Sequence, residues 1–189
     1  MKRCSWVNVK NPLYVEYHDT EWGVFKRCEK HLFETLILEC FQSGLSWECI
    51  LNKREDFRKA FDNFDIDKIC AYNDIKINEL LNNPNIIRNK LKIKAAINNA
   101  KIFKQIQIEF GSFEKYIERQ CGTKPIIEDC TKQTKSELSD NLSKDLKKRG
   151  MKFVGSVTIY SYLQAIGIIN GHGKECFLNI KNFKNCKLS

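Results

Sequence analysis

Four groups of residues in this 189-residue chain have the types and spacing to do chemistry. The first is a metal set. His172 and Cys176 stand four residues apart near the C-terminus, and Cys4 and His18 lie near the N-terminus. Two cysteines and two histidines close a tetrahedral zinc site with no open position, so an ion held there is structural. The alternative is two unrelated buried cysteines and two surface histidines. The second is Glu39, which a helical wheel places at the border of an apolar face, beside Leu32 and Leu36. An acid there is either a rim residue with its head in water or a buried carboxylate with a purpose. The third is a set of aromatics, Trp6, Tyr14, Tyr17, Trp22 and Trp47, containing all three tryptophans of the chain. Such residues usually anchor a core. They also make a stacking pocket for a flat ring such as an extruded nucleobase. The fourth is a turn, GMKFVG at 150–155, between two helical stretches. It is either an ordinary αα-hairpin or a loop whose backbone N–H groups, with those of the next helix start, hold a phosphate. Lys144, Lys147, Lys148, Arg149 and Lys152 surround it.

Helical periodicity dominates the rest of the chain, and strand-like alternation is scarce, so the expected fold is all-α. Helices are expected over 29–41, from Trp47 through Phe61, 65–70, 74–81, 89–109, 112–119, 139–149 and 156–168. The first 28 residues and the stretch 121–135 read as irregular, with Asn11-Pro12 and Trp22-Gly23 as turns. The segment QSGLS (42–46) breaks the first long helix.

The length suits one domain that buries roughly 70% of its unfolded surface without disulfides. No apolar run approaches the ~20 residues of a membrane span, and MKRCSWVNVKNPLY has no apolar signal core. A cytoplasmic, reducing location is therefore expected, with the nine cysteines as thiols or metal ligands. The net charge of +9 is compatible with a polyanionic partner.

The stretches RCSWV (3–7), PLYVEYHDTEWGV (12–24), LFETLILECFQSGLSW (32–47), LNKREDFRKAFDNFD (51–65), IIRNKLKI (86–93), LSKDLKKRGMKFVG (142–155) and HGKEC (172–176) resemble the DNA-3-methyladenine glycosylase I family. These are constitutive bacterial alkylation-repair enzymes of the helix-hairpin-helix superfamily. The resemblance covers nearly the whole chain. It implies one all-α unit over 1–189, in which a structural Zn2+ ties segments 1–28 and 169–189 onto a helical core at 29–168. By position, Cys4, His18, His172 and Cys176 match the zinc ligands, and Glu39 the pocket carboxylate. Tyr14, Tyr17 and Trp47 match the aromatic wall, with Trp6 nearby. Gln42, Gly44 and Leu45 match the loop that probes the gap left by a flipped nucleotide, and Gly150, Lys152, Gly155 and Ser156 the phosphate-holding hairpin. Phe25 departs from the family, which usually has Pro there.

The implied activity is hydrolytic excision of 3-methyladenine from alkylated double-stranded DNA by a monomer without a membrane partner, releasing the free base. Many superfamily members place an Asp after the hairpin, yet this chain has none from Ser156 onward, and its only acid there is Glu175. Val157 stands where glycosylase/lyases carry a Lys, so lyase activity is not expected. The competing class is a non-catalytic helix-hairpin-helix protein that binds DNA or senses damage.

Overall fold

The structure, a computed structural model, describes residues 1–26, 28–130 and 132–179. It is mostly helical: α1 (Pro12–Thr20), α2 (Glu29–Gln42), α3 (Trp47–Asn52), α4 (Arg54–Ala60), a 3-10 turn (Asp62–Phe64), α5 (Ile66–Cys70), α6 (Asp74–Asn82), α7 (Lys90–Phe110), α8 (Phe113–Cys121), α9 (Glu137–Lys148) and α10 (Ser156–Ala165). Two two-residue strands, β1 (Ile126–Ile127) and β2 (Ile169–Asn170), pair in parallel. None of the described helices is long and apolar enough to cross a membrane. No two described cysteines are joined by a disulfide.

Helix boundaries follow local chemistry. Side chains of Asp65, Asn73, Asn89 and Ser112 accept hydrogen bonds from the first free N–H groups of α5, α6, α7 and α8. Gly111 ends α7 in the left-handed region at φ 84°.

Several sequence expectations need correction. The N-terminal segment is not irregular, because Asn11 caps α1 and Pro12 occupies its first turn. The stretch expected as one helix from Trp47 is broken at Lys53, whose own N–H bonds the α3 carbonyls of Ile50 and Leu51. The loop 121–135 includes β1, and the helix expected over 156–168 stops at Ala165, followed by Gly167 and β2. Residues 180–189 of the expected C-terminal segment lie outside the described residues.

Helix α2 runs through the centre, and every residue from Leu32 to Phe41 is buried. It packs against α7, α8 and α10. Phe33 meets Phe103 edge-on at 5.1 Å, and Phe103 stacks on Phe113 at 3.9 Å. A second cluster joins the two ends of the chain: Cys4, Val7, Tyr14, Tyr17, Trp22, Leu51, Ala165 and Cys176.

The two clusters meet where the Trp22-Gly23 turn crosses the end of α10. Gly23 N–H bonds the carbonyl of Ala165. Gly167 has φ 78°, and a Cβ there would lie 2.6 Å from the Gly23 carbonyl oxygen and 2.7 Å from the Phe25 nitrogen. Both obstacles are backbone, so neither can swing aside. Gly167→Ala is expected to cost about 2–5 kcal/mol from the left-handed conformation and the overlap. Thermal unfolding by circular dichroism should fall by roughly 5–15 °C. An unchanged melting temperature would show that the crossing is loose.

Candidate functional site

The aromatics are brought together by α1. Asn11 Nδ2 donates to Glu48 Oε1 and Asn52 Oδ1 at 2.8 and 2.9 Å, which docks the start of α1 on α3. Tyr14, Tyr17 and His18 then share the buried face. Tyr17 reaches Trp47 at the start of α3, with ring centroids 5.2 Å apart. Trp6 packs on Tyr14 at 5.4 Å and edge-on to Trp22 at 4.9 Å.

These rings enclose a cavity of about 220 Å³, lined by Trp6, Tyr14, Tyr17, Trp22, Glu39, Gln42, Trp47, Ser161 and Gln164. Glu39 and all five aromatics singled out in the sequence line it. Ser161 and Gln164 were not expected, and Gln42, expected on the loop after α2, lines it too. Next to Trp22, Gly23 has φ 81°, and a Cβ there would sit 3.1 Å from His172 Nε2. Ser161 and Gln164 are three apart on α10 and become visible only once α10 is placed beside α2.

Two polar atoms at this cavity, Glu39 Oε2 and Trp47 Nε1, are buried without a hydrogen-bond partner among the described residues. Glu39 is only 4% exposed, so it is no rim residue. The other buried acid of α2, Glu34, makes an ion pair with Arg58 at 2.6 Å. Glu39 has no such pair, and burial pushes its carboxyl up to about 8. Burial therefore favours its neutral form unless a positive charge lies beside it. Burial, reinforced by Glu39, also holds the Tyr17 hydroxyl well above its ordinary value.

Directly behind the pocket lie the four metal-type residues. One donor atom each from Cys4, His18, His172 and Cys176 falls within 4.8 Å of the others, and all four side chains are buried. His172 Nδ1 lies 3.6 Å from Cys4 Sγ and 3.5 Å from Cys176 Sγ. His18 Nε2 is 3.5 Å from Cys176 Sγ. A tetrahedral zinc with Zn–S of about 2.3 Å and Zn–N of about 2.0–2.1 Å has S···N edges of about 3.5 Å, so the donor set fits that ion. Asp19 Oδ1 accepts from His18 Nδ1 at 2.8 Å, and Arg3 holds the same carboxylate, which turns Nε2 toward the sulfurs. Burial pushes His172 down to about 4, keeping the neutral form that a metal requires. Neither histidine is a surface residue. The cluster also supports the pocket, because Trp6 stands edge-on to His18 at 5.2 Å and Trp22 to His172 at 4.6 Å.

The loop expected to probe the gap left by a flipped nucleotide follows α2 directly. Leu45 N–H bonds the Gln42 carbonyl at 2.6 Å, Gly44 takes φ 79°, and the Leu45 side chain is 41% exposed beside the pocket mouth residue Gln42. The α9–α10 turn carries Gly150 at φ 98° and an exposed Lys152. Gly155 caps α10 without any side-chain hydrogen bond, so the N–H groups at the start of α10 are not occupied by a capping side chain. Arg149 departs from expectation. It is tied to Glu109 and Asp145 and lies over the rings of Phe110 and Tyr116, which leaves Lys144, Lys147, Lys148 and Lys152 as the solvent-facing charges.

The family profile described as Methyladenine glycosylase matches residues 6–179. The chain belongs to that family. Its members are DNA-repair glycosylases, hydrolases of N-glycosyl bonds. DNA-3-methyladenine glycosylase 1 of Escherichia coli (strain K12) is 41% identical over 180 residues, 93% of this chain and 96% of that protein. A crystal structure of 3-methyladenine DNA glycosylase I superposes with a TM-score of 0.90 at 40% identity, covering 94% of this chain and 100% of that one. A Tyr-to-Phe variant of 3-methyladenine DNA glycosylase I in complex with 3-methyladenine superposes with a TM-score of 0.87 at 35% identity, covering 93% and 96%. This glycosylase thus shares both its sequence and its helical framework with enzymes named for the same lesion.

Proposed function

We propose that this glycosylase flips 3-methyladenine out of alkylated double-stranded DNA and excises it by hydrolysis, without cleaving the abasic strand. The observation that carries the proposal is the pair of unpartnered buried atoms, Glu39 Oε2 and Trp47 Nε1, at an aromatic cavity. A carboxyl oxygen and an indole N–H without protein partners beside an aromatic cavity are the groups that a polar flat ligand satisfies.

Methylation at N3 places positive charge on the adenine ring. The base then departs neutral as the glycosidic bond breaks, with the bonding electrons cancelling the ring charge. Water bonds to the anomeric carbon and loses a proton to solvent. No leaving-group protonation is needed, and the weakened bond breaks without the sugar-supporting Asp that this chain lacks after the hairpin. The protein's task is selective binding. A cationic ring against Tyr17 and Trp47 gains about 0.5–2 kcal/mol of cation–π attraction. It also draws Glu39 into its ionised form, which accepts a hydrogen bond from the exocyclic amine. Neutral adenine brings no such charge, and flipping a lesion costs less than flipping a paired base.

Gln42, Gly44 and Leu45 enter the space the nucleotide leaves. Gly150, Lys152, Gly155 and Ser156 form a helix-hairpin-helix grip on the backbone phosphate. Cys4, His18, His172 and Cys176 hold a structural Zn2+, which supplies cross-linking of the chain ends and no reaction step. Val157 stands where a lyase lysine would, so no Schiff base forms. The whole chain works as one unit and as a monomer, in the bacterial cytoplasm and on the nucleoid through DNA binding, in base excision repair.

Incubation with methylated duplex DNA followed by chromatography of the released bases is expected to yield 3-methyladenine and an uncleaved abasic strand. Duplex binding without base release would leave a damage sensor, and strand cleavage would overturn the monofunctional assignment.

A further inference from the structure

We propose that α7 sets the register between the probe loop and the phosphate hairpin, with Lys92 and Asn99 as positioning residues. The inference rests on the DNA-contacting roles proposed above. Both residues are buried and seven apart, which places them on one face of the helix with a rise of about 10.5 Å.

Lys92 holds the loop. Its Nζ donates to the carbonyls of Phe41 and Ser43 at 2.8 and 2.6 Å. These carbonyls end α2, where backbone acceptors lack helical partners and a cation is favoured. The loop bearing Gln42 and Leu45 leaves α2 through this clasp. Asn99 holds the hairpin. Its Oδ1 accepts from Lys152 N–H and its Nδ2 donates to the Lys152 carbonyl, both at 2.9 Å, a closed ring on the backbone of one residue. The next residue, Phe153, is a non-glycine at φ 58°, a conformation that persists only where its surroundings over-determine it. Asn98 adds a bond from Nδ2 to the Gly150 carbonyl at 3.0 Å. Cys40, the neighbour of Glu39, completes the triangle with its Sγ 3.8 Å from the same Lys152 carbonyl.

One rigid helix therefore clasps both elements that must meet the same duplex. Extrusion succeeds only if the wedge enters the stack while the hairpin holds the backbone at a fixed distance from it. An error of about 1 Å in such an arrangement can cost 10²-fold in rate. The pocket is lined from α1, α2, α3, α10 and the segments of Trp6 and Trp22, and of these residues only Gln42 lies at a clasp, so a free base keeps its other contacts when either clasp is broken.

Lys92→Met and Asn99→Ala are each expected to lower kcat/KM on methylated duplex by about tenfold or more, while affinity for free 3-methyladenine stays within about twofold. The double variant should lose less than the product of the single losses, because either break already frees the register. A free-base affinity that falls in step with excision overturns the proposal, since the residues then only pack the core. So does a multiplicative double variant. If Asn99→Ala fails to fold, the half-buried Asn98→Ala replaces it on the hairpin side with the same expected pattern. Lys152→Glu separates the two levels. If it leaves duplex binding unchanged, the hairpin assignment has failed. If it weakens duplex binding while the α7 variants excise at the natural rate, the register alone has failed.

Discussion

Glu39→Gln is expected to lose about 10²–10³ of 3-methyladenine release and to melt higher than the natural protein at alkaline pH. Gln has the same shape and keeps one acceptor oxygen, but it cannot ionise beside a cation. An opposite charge within about 4–6 Å lowers a carboxyl pKa by about 1–3 units. Starting from about 8, that brings Glu39 into its ionised form at neutral pH only when a charged base is present. The variant therefore loses the interaction that separates methylated from ordinary adenine, while duplex binding through the loop and hairpin remains.

The stability effect has the opposite sign. The folded carboxyl titrates near 8 and the unfolded one near 4.5. Below 4.5 both states are protonated and Glu39 costs nothing extra. Between those values the unfolded chain ionises and the native pocket does not, so native stability is lost progressively as pH rises, levelling off above about 8. Gln carries no such penalty. Its melting advantage should be absent near pH 4, grow across this window and then hold constant. Melting curves across pH, read beside base-release rates, check both halves. Full excision by the variant would remove Glu39 from the pocket, and a pH-independent melting difference would place its carboxylate in water.

Cys176→Ser is expected to lose stoichiometric zinc and to melt roughly 10–20 °C lower. Cys4 and His172, which an ion at this cluster would join, are 168 residues apart. A cross-link closing a loop of that length is worth about 5 kcal/mol in chain entropy. The pocket should weaken as well, because Trp6 and Trp22 rest edge-on against the two histidines. Titration of free 3-methyladenine, followed by tryptophan fluorescence, is expected to show reduced affinity. Elemental analysis showing one zinc per chain, with natural melting, would refute the ligand set.

Several features of this chain were legible before any coordinates. Helical periodicity located α2, α5, α6, α7 and α8 to within two residues, because their caps and apolar spacing are local properties. Residue type and order, through the family resemblance, nominated the cysteines, the histidines, the pocket rings and Glu39. α1 was missed although its signal was present: Asn11-Pro12 is a helix start as well as a turn, and Tyr14, Tyr17 and His18 have helical spacing. Arg149 was misjudged because its partner Glu109 is 40 residues away on another helix, although its second partner, Asp145, stands four residues earlier in the sequence.

Composition and local pattern thus determined the helical class, the chemical inventory and the order in which it occurs along the chain. Tertiary structure alone decided that α2 is buried from Leu32 to Phe41, which makes Glu39 a buried acid with an unpartnered oxygen and not a rim residue. It alone added Ser161 and Gln164 to the pocket, set the Cys/His cluster behind the tryptophans, and ran α7 beneath both the 42–46 loop and the 150–155 turn. The physical reason is the same in each case. Desolvation and hydrogen-bond satisfaction depend on every neighbour in space, and those neighbours come from segments that no local pattern connects.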